Sequence, residues 1–396
     1  MTAPALQEQP TERMMQMITG YWVTQTVHAA AAYSVADHLA TASATADDIA
    51  RAEGIDPIAT FRLLRACASL GLLTYDGKSR FAATPLLDTL RKDHPKTLRG
   101  LALSMAAPGH WLPWGRFADA VKSGRSQTIA ALGAELFDYF TANTEEGNTF
   151  TDAMTNMTSS VAEEMARVID TTAVEVVADI GGAGGALLHA LLRANPGVRG
   201  VVFDRPSVVA SAEEAARKAS LGGRVTAVGG DFFHSVPEAD LYLLKYILHD
   251  WDDASCIRIL RSCRRGLRPG GRIAVIELLL PEIGEPGLAS ILDLNMMVMC
   301  SGRERSVAEY RRLFEAAWPP LPQRDRNPDA DGDSGGHSGL IEGGWRGRLA
   351  CTVGRAVRPS IAAVTFRERC WHCQPPLSAV SIGTNHRPVA PAVPPE

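Results

Sequence analysis

The chain lacks an excess of either charge, a membrane-length apolar run, a cysteine framework and a dinucleotide-type glycine motif. Its 40 lysines and arginines face 44 acids, a net charge of −4, and the pI is near 6.2. That balance leaves out the broad positive surface that nucleic-acid binding needs. No stretch is long and apolar enough to span a bilayer, and the first residues have neither the basic start nor the apolar centre of a secretory signal. Seven cysteines, odd in number and scattered, argue against disulfide staples and for a reducing compartment. The expectation is a cytoplasmic protein with no membrane and no nucleic-acid partner.

With 396 residues, 46% of them hydrophobic, the chain has material for two ordinary domains and a tail. Residues 13–40 read as helical, and Met14, Met17, Ile18, Tyr21, Trp22 and Val27 give a face too broad for a solitary surface helix. Burial against a partner chain or against its own chain would each account for it. Thr45 to Gly54 reads as a capped helix closed by glycine, and Asp56-Pro57 opens a second one. Two short apolar runs flank Asp76-Gly77, a hairpin turn signal. Two helices followed by a hairpin form a winged-helix pattern. Arg62, Arg65, Lys78 and Arg80 are too few for phosphate contacts, so a scaffold or dimerisation module is expected rather than a DNA reader. Residues 98–168 read as helical and rich in aromatic and methionine side chains, among them Trp111, Trp114, Phe140 and Phe150.

From Val174 the rhythm becomes strand, helix, strand. Strands are predicted at Val174–Ile180, Gly200–Asp204, Arg224–Gly229, Ala239–Leu248 and Arg272–Leu280, with helices at 184–194, 207–219, 253–267 and 306–317. This alternation predicts a parallel sheet covered on both faces, whose ligands bind at the C-terminal strand ends. The first strand runs into Asp179-Ile180-Gly181-Gly182-Ala183-Gly184-Gly185. Glycines let backbone approach a ligand, and the following helix offers free N–H groups. An acid at position 179 is badly placed against a pyrophosphate but suits an amino group or positive charge, which speaks against a nicotinamide dinucleotide. Asp204 ends the next strand, where a carboxylate can bond ribose hydroxyls. Asp231-Phe232 follows the third, an acid and an aromatic suited to adenine. The fourth strand runs into His249-Asp250-Trp251, a titratable side chain placed as a general base.

These segments, together with Phe203-Asp204-Arg205-Pro206, Leu244 to Asp253 and Leu267-Arg268-Pro269-Gly270-Gly271, resemble the S-adenosylmethionine-dependent O-methyltransferases, in the plant-type and bacterial branch with an N-terminal winged-helix dimerisation domain. The resemblance covers residues 13–317. It implies an α/β fold: a doubly wound, Rossmann-like methyltransferase domain over 169–317, preceded by an all-α, winged-helix dimerisation domain over 13–100 and a helical connector over 101–168 that contributes to the substrate pocket. It implies a homodimer that uses S-adenosyl-L-methionine, with no metal, to methylate a hydroxyl of a small aromatic acceptor. The cofactor would be held by Asp179, Gly181, Gly182, Asp204, Asp231, Phe232 and Lys245. His249 would be the base, with Glu277 and Glu304 orienting it. Ala183 departs from the family's frequent third glycine, and fits if its φ is negative.

After Ala317 the texture changes to proline-rich sequence without helical or strand period. Read one base later, the codons from Asn327 permit Thr-Pro-Thr-Pro-Met-Ala-Thr-Val, the kind of segment that leads into a closing strand. The expectation is a frameshifted, disordered tail over 318–396, with the last strands missing and Arg272–Leu280 left as an apolar edge. Cys370-Trp371-His372-Cys373 is then a chance pattern. The rival readings are a catalytically impaired remnant and a winged-helix regulator that senses a small molecule.

Overall fold

The structure, a computed structural model, describes residues 9–285 and 287–318, and the backbone alone of 347–353 and 361–370. The N-terminal part follows its local signals. Thr45 and Asp48 form a reciprocal capping box at the start of helix Ala46–Glu53, and Gly54 closes that helix at φ 67°. Asp56 accepts the Ala59 N–H at 2.7 Å ahead of helix Pro57–Ser69. Asp76 Oδ1 gathers the N–H groups of Lys78, Ser79 and Arg80 in the turn of the hairpin. The small sheet has three strands, β1 (Ala44–Thr45), β2 (Leu73–Tyr75) and β3 (Arg80–Ala83), in the order β1-β3-β2. Leu64, Cys67, Phe81 and Leu87 fill the core beneath it.

The predicted helix 13–40 is three helices instead, Pro10–Ile18, Gly20–Ala32 and Val35–His38. Ser34 adopts a left-handed backbone, φ 47°, which ends one helix and redirects the next. Met14, Met17, Ile18, Tyr21 and Trp22 all stand more than half exposed.

The larger sheet contains β4 (Val176–Ile180), β5 (Arg199–Asp204), β6 (Val225–Gly229), β7 (Ala239–Lys245), β8 (Leu267–Leu278), β9 (Gly347–Val353) and β10 (Ile361–Cys370). Their order is β6-β5-β4-β7-β8-β10-β9. β4 to β8 pair in parallel, and helices pack apolar faces onto both sides of β4 and β7. Burial on both faces is why these strands read as continuous apolar runs.

Three expectations need correction. The fourth strand ends at Lys245, not Leu248, because Tyr246 takes φ 55° and turns the chain into the short 3₁₀ turn Leu248–Asp250. His249 therefore lies within that turn rather than directly at the strand's end. Helix Leu288–Met299 was not anticipated. β8 is not a bare edge: Ile361–Arg367 pairs antiparallel with Leu278–Arg272. β9 is the outer strand beyond β10, and residues 319–346, 354–360 and 371–396 of the proposed tail, with most of the Cys370-to-Cys373 pattern, lie outside the described residues. Among the described residues no helix is long and apolar enough to cross a membrane.

Candidate active site

Two clusters form at the C-terminal edge of the sheet. The first surrounds the turn after β4. Gly181 and Gly185 have φ of 68° and 71°, a region glycine enters without strain. A Cβ on Gly182 would come within 2.8 Å of Asp179 Cγ, so only glycine fits against that acid. Ala183 does not meet its condition, since its φ is 47°. Its N–H donates to Asp204 Oδ2 at 2.8 Å, and Asp204 Oδ1 accepts the Arg205 N–H at 2.7 Å. Asp179 is buried. Burial lifts its pKa to about 7, opposed by the Lys245 cation and aided by Asp204. Lys245 is pushed down to about 8 by burial, opposed by Glu277 and Asp179. Lys245 thus feels acids of both clusters.

Asp231 is half exposed and already committed within its own turn, accepting the Phe233 N–H at 2.8 Å and meeting His234 Nδ1 at 2.8 Å. The Phe232 ring packs edge-on to Trp251, centroids 6.0 Å apart. Of the proposed cofactor residues, Asp179, Gly181, Gly182, Asp204 and Lys245 gather around one glycine turn. Asp231 and Phe232 stand at the neighbouring strand end, where the Gly230 N–H bonds Asp204 O. A buried acid beside a glycine cradle, with a second acid on the next strand, suits the amino group and ribose of S-adenosylmethionine. The residues present fit that group.

The second cluster is His249, Glu277 and Glu304, each buried. His249 Nδ1 lies 2.7 Å from Glu304 Oε1 and 3.7 Å from Glu277 Oε2. Glu277 Oε1 accepts the N–H groups of Ile247 and Leu248 at 3.1 Å each, holding the turn that carries the histidine. Burial opposes the charge on His249, but Glu277, Asp250 and Glu304 outweigh it and raise its pKa to about 9. Burial raises Glu277 to about 7 against the pull of the imidazolium. His249 Nε2, the nitrogen away from Glu304, stands 3.5 Å from Asp250 Oδ1. Burial raises Asp250 to about 6, opposed by His249. This arrangement can take a proton at Nε2 while Nδ1–H remains bonded to a carboxylate.

Sequence reasoning missed several neighbours. The Tyr246 ring stacks on His249 at 5.2 Å and 21°, and Lys245 Nζ sits 3.7 Å over that same ring. Arg305 is fully buried and bonds the turn around His249. Gly302 packs its backbone against the same turn. For Gly302 there was a usable signal, because a glycine two residues before a candidate site acid can mark close backbone approach; Arg305 carried none.

Residues 114–318 match the O-methyltransferase domain family and residues 15–93 the O-methyltransferase dimerisation domain family. A phenazine O-methyltransferase of Lysobacter antibioticus is 37% identical over 305 residues, spanning 77% of this chain and 89% of that one. A 3-amino-4-hydroxybenzoate 4-O-methyltransferase of Streptomyces cremeus is 35% identical over 308 residues, 77% and 84% of the two chains. The crystal structure of human N-acetylserotonin methyltransferase with S-adenosylmethionine superposes with a TM-score of 0.76 at 28% identity, covering 92% of this chain and 99% of that one.

Proposed function

Since the chain belongs to the S-adenosylmethionine-dependent O-methyltransferases, enzymes that act on small molecules, we propose that it methylates a phenolic hydroxyl of a small aromatic acceptor with His249 as general base. The observation that carries this is the buried His249–Glu304 pair at 2.7 Å. The bound cofactor supplies an electrophilic methyl group. A phenol, pKa near 10, is mostly protonated at neutral pH and needs its proton drawn off as its oxygen attacks. His249 takes that proton at Nε2, and Glu304 stabilises the imidazolium through Nδ1–H. The three acids that raise the histidine pKa to about 9 bring it close to that of the phenol, so the transfer is nearly balanced. Asp179, Gly181, Gly182, Asp204, Asp231, Phe232 and Lys245 hold the cofactor in this reading.

The Streptomyces relative named for the 4-hydroxyl of an aminohydroxybenzoate supports an aromatic acceptor. The exposed apolar residues of the first two helices, within the segment that matches the dimerisation family, support a homodimer. Buried free thiols at Cys67, Cys256 and Cys263 support a reducing, cytoplasmic setting. The test is a panel of phenols with methyl-labelled cofactor, run on the wild type and on His249→Gln. Label transfer to a phenol that vanishes in the variant is the expected result. Transfer to none of them, or equal transfer by both proteins, would remove the reading.

A further inference from the structure

We propose that Arg305 is the positioning residue that sets the His249–Glu304 geometry, an inference that extends the reading of His249 as base. Its side chain is fully buried, and all its N–H donors are used. Nη1 donates to Leu248 O at 2.9 Å and to Arg303 O at 3.2 Å. Nη2 donates to Trp251 O at 2.8 Å and to Asp253 Oδ1 at 2.8 Å, and Nε reaches Asp253 Oδ1 at 3.1 Å. Leu248 and Trp251 bracket His249, so the guanidinium grips the turn on both sides of the base. Glu304 is the covalent neighbour of Arg305. The Arg305 backbone is also tied to the end of β8: its carbonyl accepts the Leu280 N–H at 3.3 Å, and the residue bridges Leu279 in parallel. β8 carries Glu277. One side chain and its own backbone therefore join the three segments that supply His249, Glu277 and Glu304.

The planar fork is what permits this, since two carbonyls and a carboxylate are met at once in a fixed plane. A lysine carries one compact charge and three donors, and cannot span the same acceptors. None of these bonds of Arg305 reaches the turn after β4, so its loss should act on the base and not on the cofactor residues. Burial lowers the His249 titration, and the acids that outweigh it are Glu277 from β8, Asp250 from its own segment and Glu304 from the segment before helix Val307–Ala317; the Tyr246 ring stacks on the imidazole.

The test is Arg305→Lys in the full chain, read three ways: the NMR titration of the His249 imidazole, kcat for methyl transfer, and calorimetric affinity for S-adenosylmethionine. The expected result is a displaced imidazole titration and a kcat lower by on the order of 10- to 100-fold, as for a misplaced catalytic group, with cofactor affinity held within about twofold. An imidazole titration superposable on that of the wild type would overturn the proposal, and so would a loss of cofactor affinity as large as the loss of kcat. A moved titration with unchanged kcat would uphold the positioning and defeat His249 as base, which separates the two claims. Should Arg305→Lys not fold, Asp253→Asn loosens the same fork from its half-exposed end and takes the same readouts. Free guanidinium restoring kcat to Arg305→Ala would count further in favour.

Discussion

Nδ1 of His249 stands 2.7 Å from Oε1 of Glu304, a residue 55 positions further along the chain. Both are buried, so the contact is made in a low dielectric where a charge-assisted hydrogen bond is strong. It fixes the tautomer: the proton on Nδ1 points at the carboxylate, and Nε2 is left as the working nitrogen. Glu277 reinforces the arrangement from below by holding the N–H groups of Ile247 and Leu248.

Replacement of His249 by Gln keeps a polar side chain but removes the base. We expect kcat/KM for methyl transfer to fall by about 10²–10⁴-fold, the usual worth of a positioned general base. Affinity for S-adenosylmethionine should hold, since His249 is not among the residues around the β4 turn. Parallel kinetics and calorimetry check this, and a loss confined to cofactor affinity would contradict it.

The pH profile follows from the raised histidine. With its pKa at about 9, free His249 is protonated at neutral pH, and only its deprotonated form can act as base. kcat/KM should therefore rise with pH towards about 9. Glu277→Gln takes away the carboxylate that contributes most to holding the proton, so the rising limb should move to lower pH. A limb unmoved in the variant would show that Glu277 does not govern the titration.

Ala183 has φ 47°, a left-handed backbone that costs an alanine about 1–2 kcal/mol. Ala183→Gly removes that strain and loosens the unfolded chain, a loss of about 0.4–1 kcal/mol. The net should be a gain of roughly 0.5–1 kcal/mol, because the N–H that bonds Asp204 is retained. Urea unfolding of the two proteins checks the sign, and a lower midpoint in the variant would contradict it.

Trp22 is 59% exposed among other bare apolar side chains on the first two helices. A patch of this kind rarely remains open to water. Trp22→Asp places a charge in it, and sedimentation at micromolar concentration should show monomer where the wild type sediments as a dimer. Equal sedimentation of the two would count against this face as the interface.

The strands and the winged helix were legible because local chemistry and tertiary packing agree there. Capping residues at Thr45 and Asp56, the Asp76-Gly77 turn and the doubly buried strands all carry their own signals. The turn at 246–251 was not legible. Tyr246 has no local reason to be left-handed, and it is held there by a bond from its N–H to Ile276 O and by Glu277 below. Helix Leu288–Met299 was hidden because it is apolar nearly all round, which blurs the helical period. At the proposed site, Asp179, Asp204, Asp231 and His249 were readable from their places at the strand ends, and Glu277 and Glu304 only from resemblance. Arg305 was not, because a buried arginine looks like a surface one until its acceptors are known. The β8–β10 pairing was hidden as well, since Ile361–Cys370, itself free of proline, lies within the proline-rich stretch after Ala317.

Gly302 offers the sharpest test of how closely the site is built. A Cβ at that position would overlap the His249 carbonyl oxygen and the Asp250 carbonyl carbon and come within 2.6 Å of the Trp251 nitrogen. All three are backbone atoms, so no side chain can swing aside. Gly302→Ala must push apart the segment carrying Glu304 and the turn carrying His249, the two partners of the 2.7 Å contact. Overpacking of this kind costs about 1–3 kcal/mol, and a displacement of about 1 Å at a catalytic group costs on the order of 100-fold in rate. The variant should therefore lose kcat far beyond what its lowered unfolding midpoint accounts for, with cofactor affinity intact. Full activity in Gly302→Ala would mean that the separation of His249 and Glu304 does not limit the reaction.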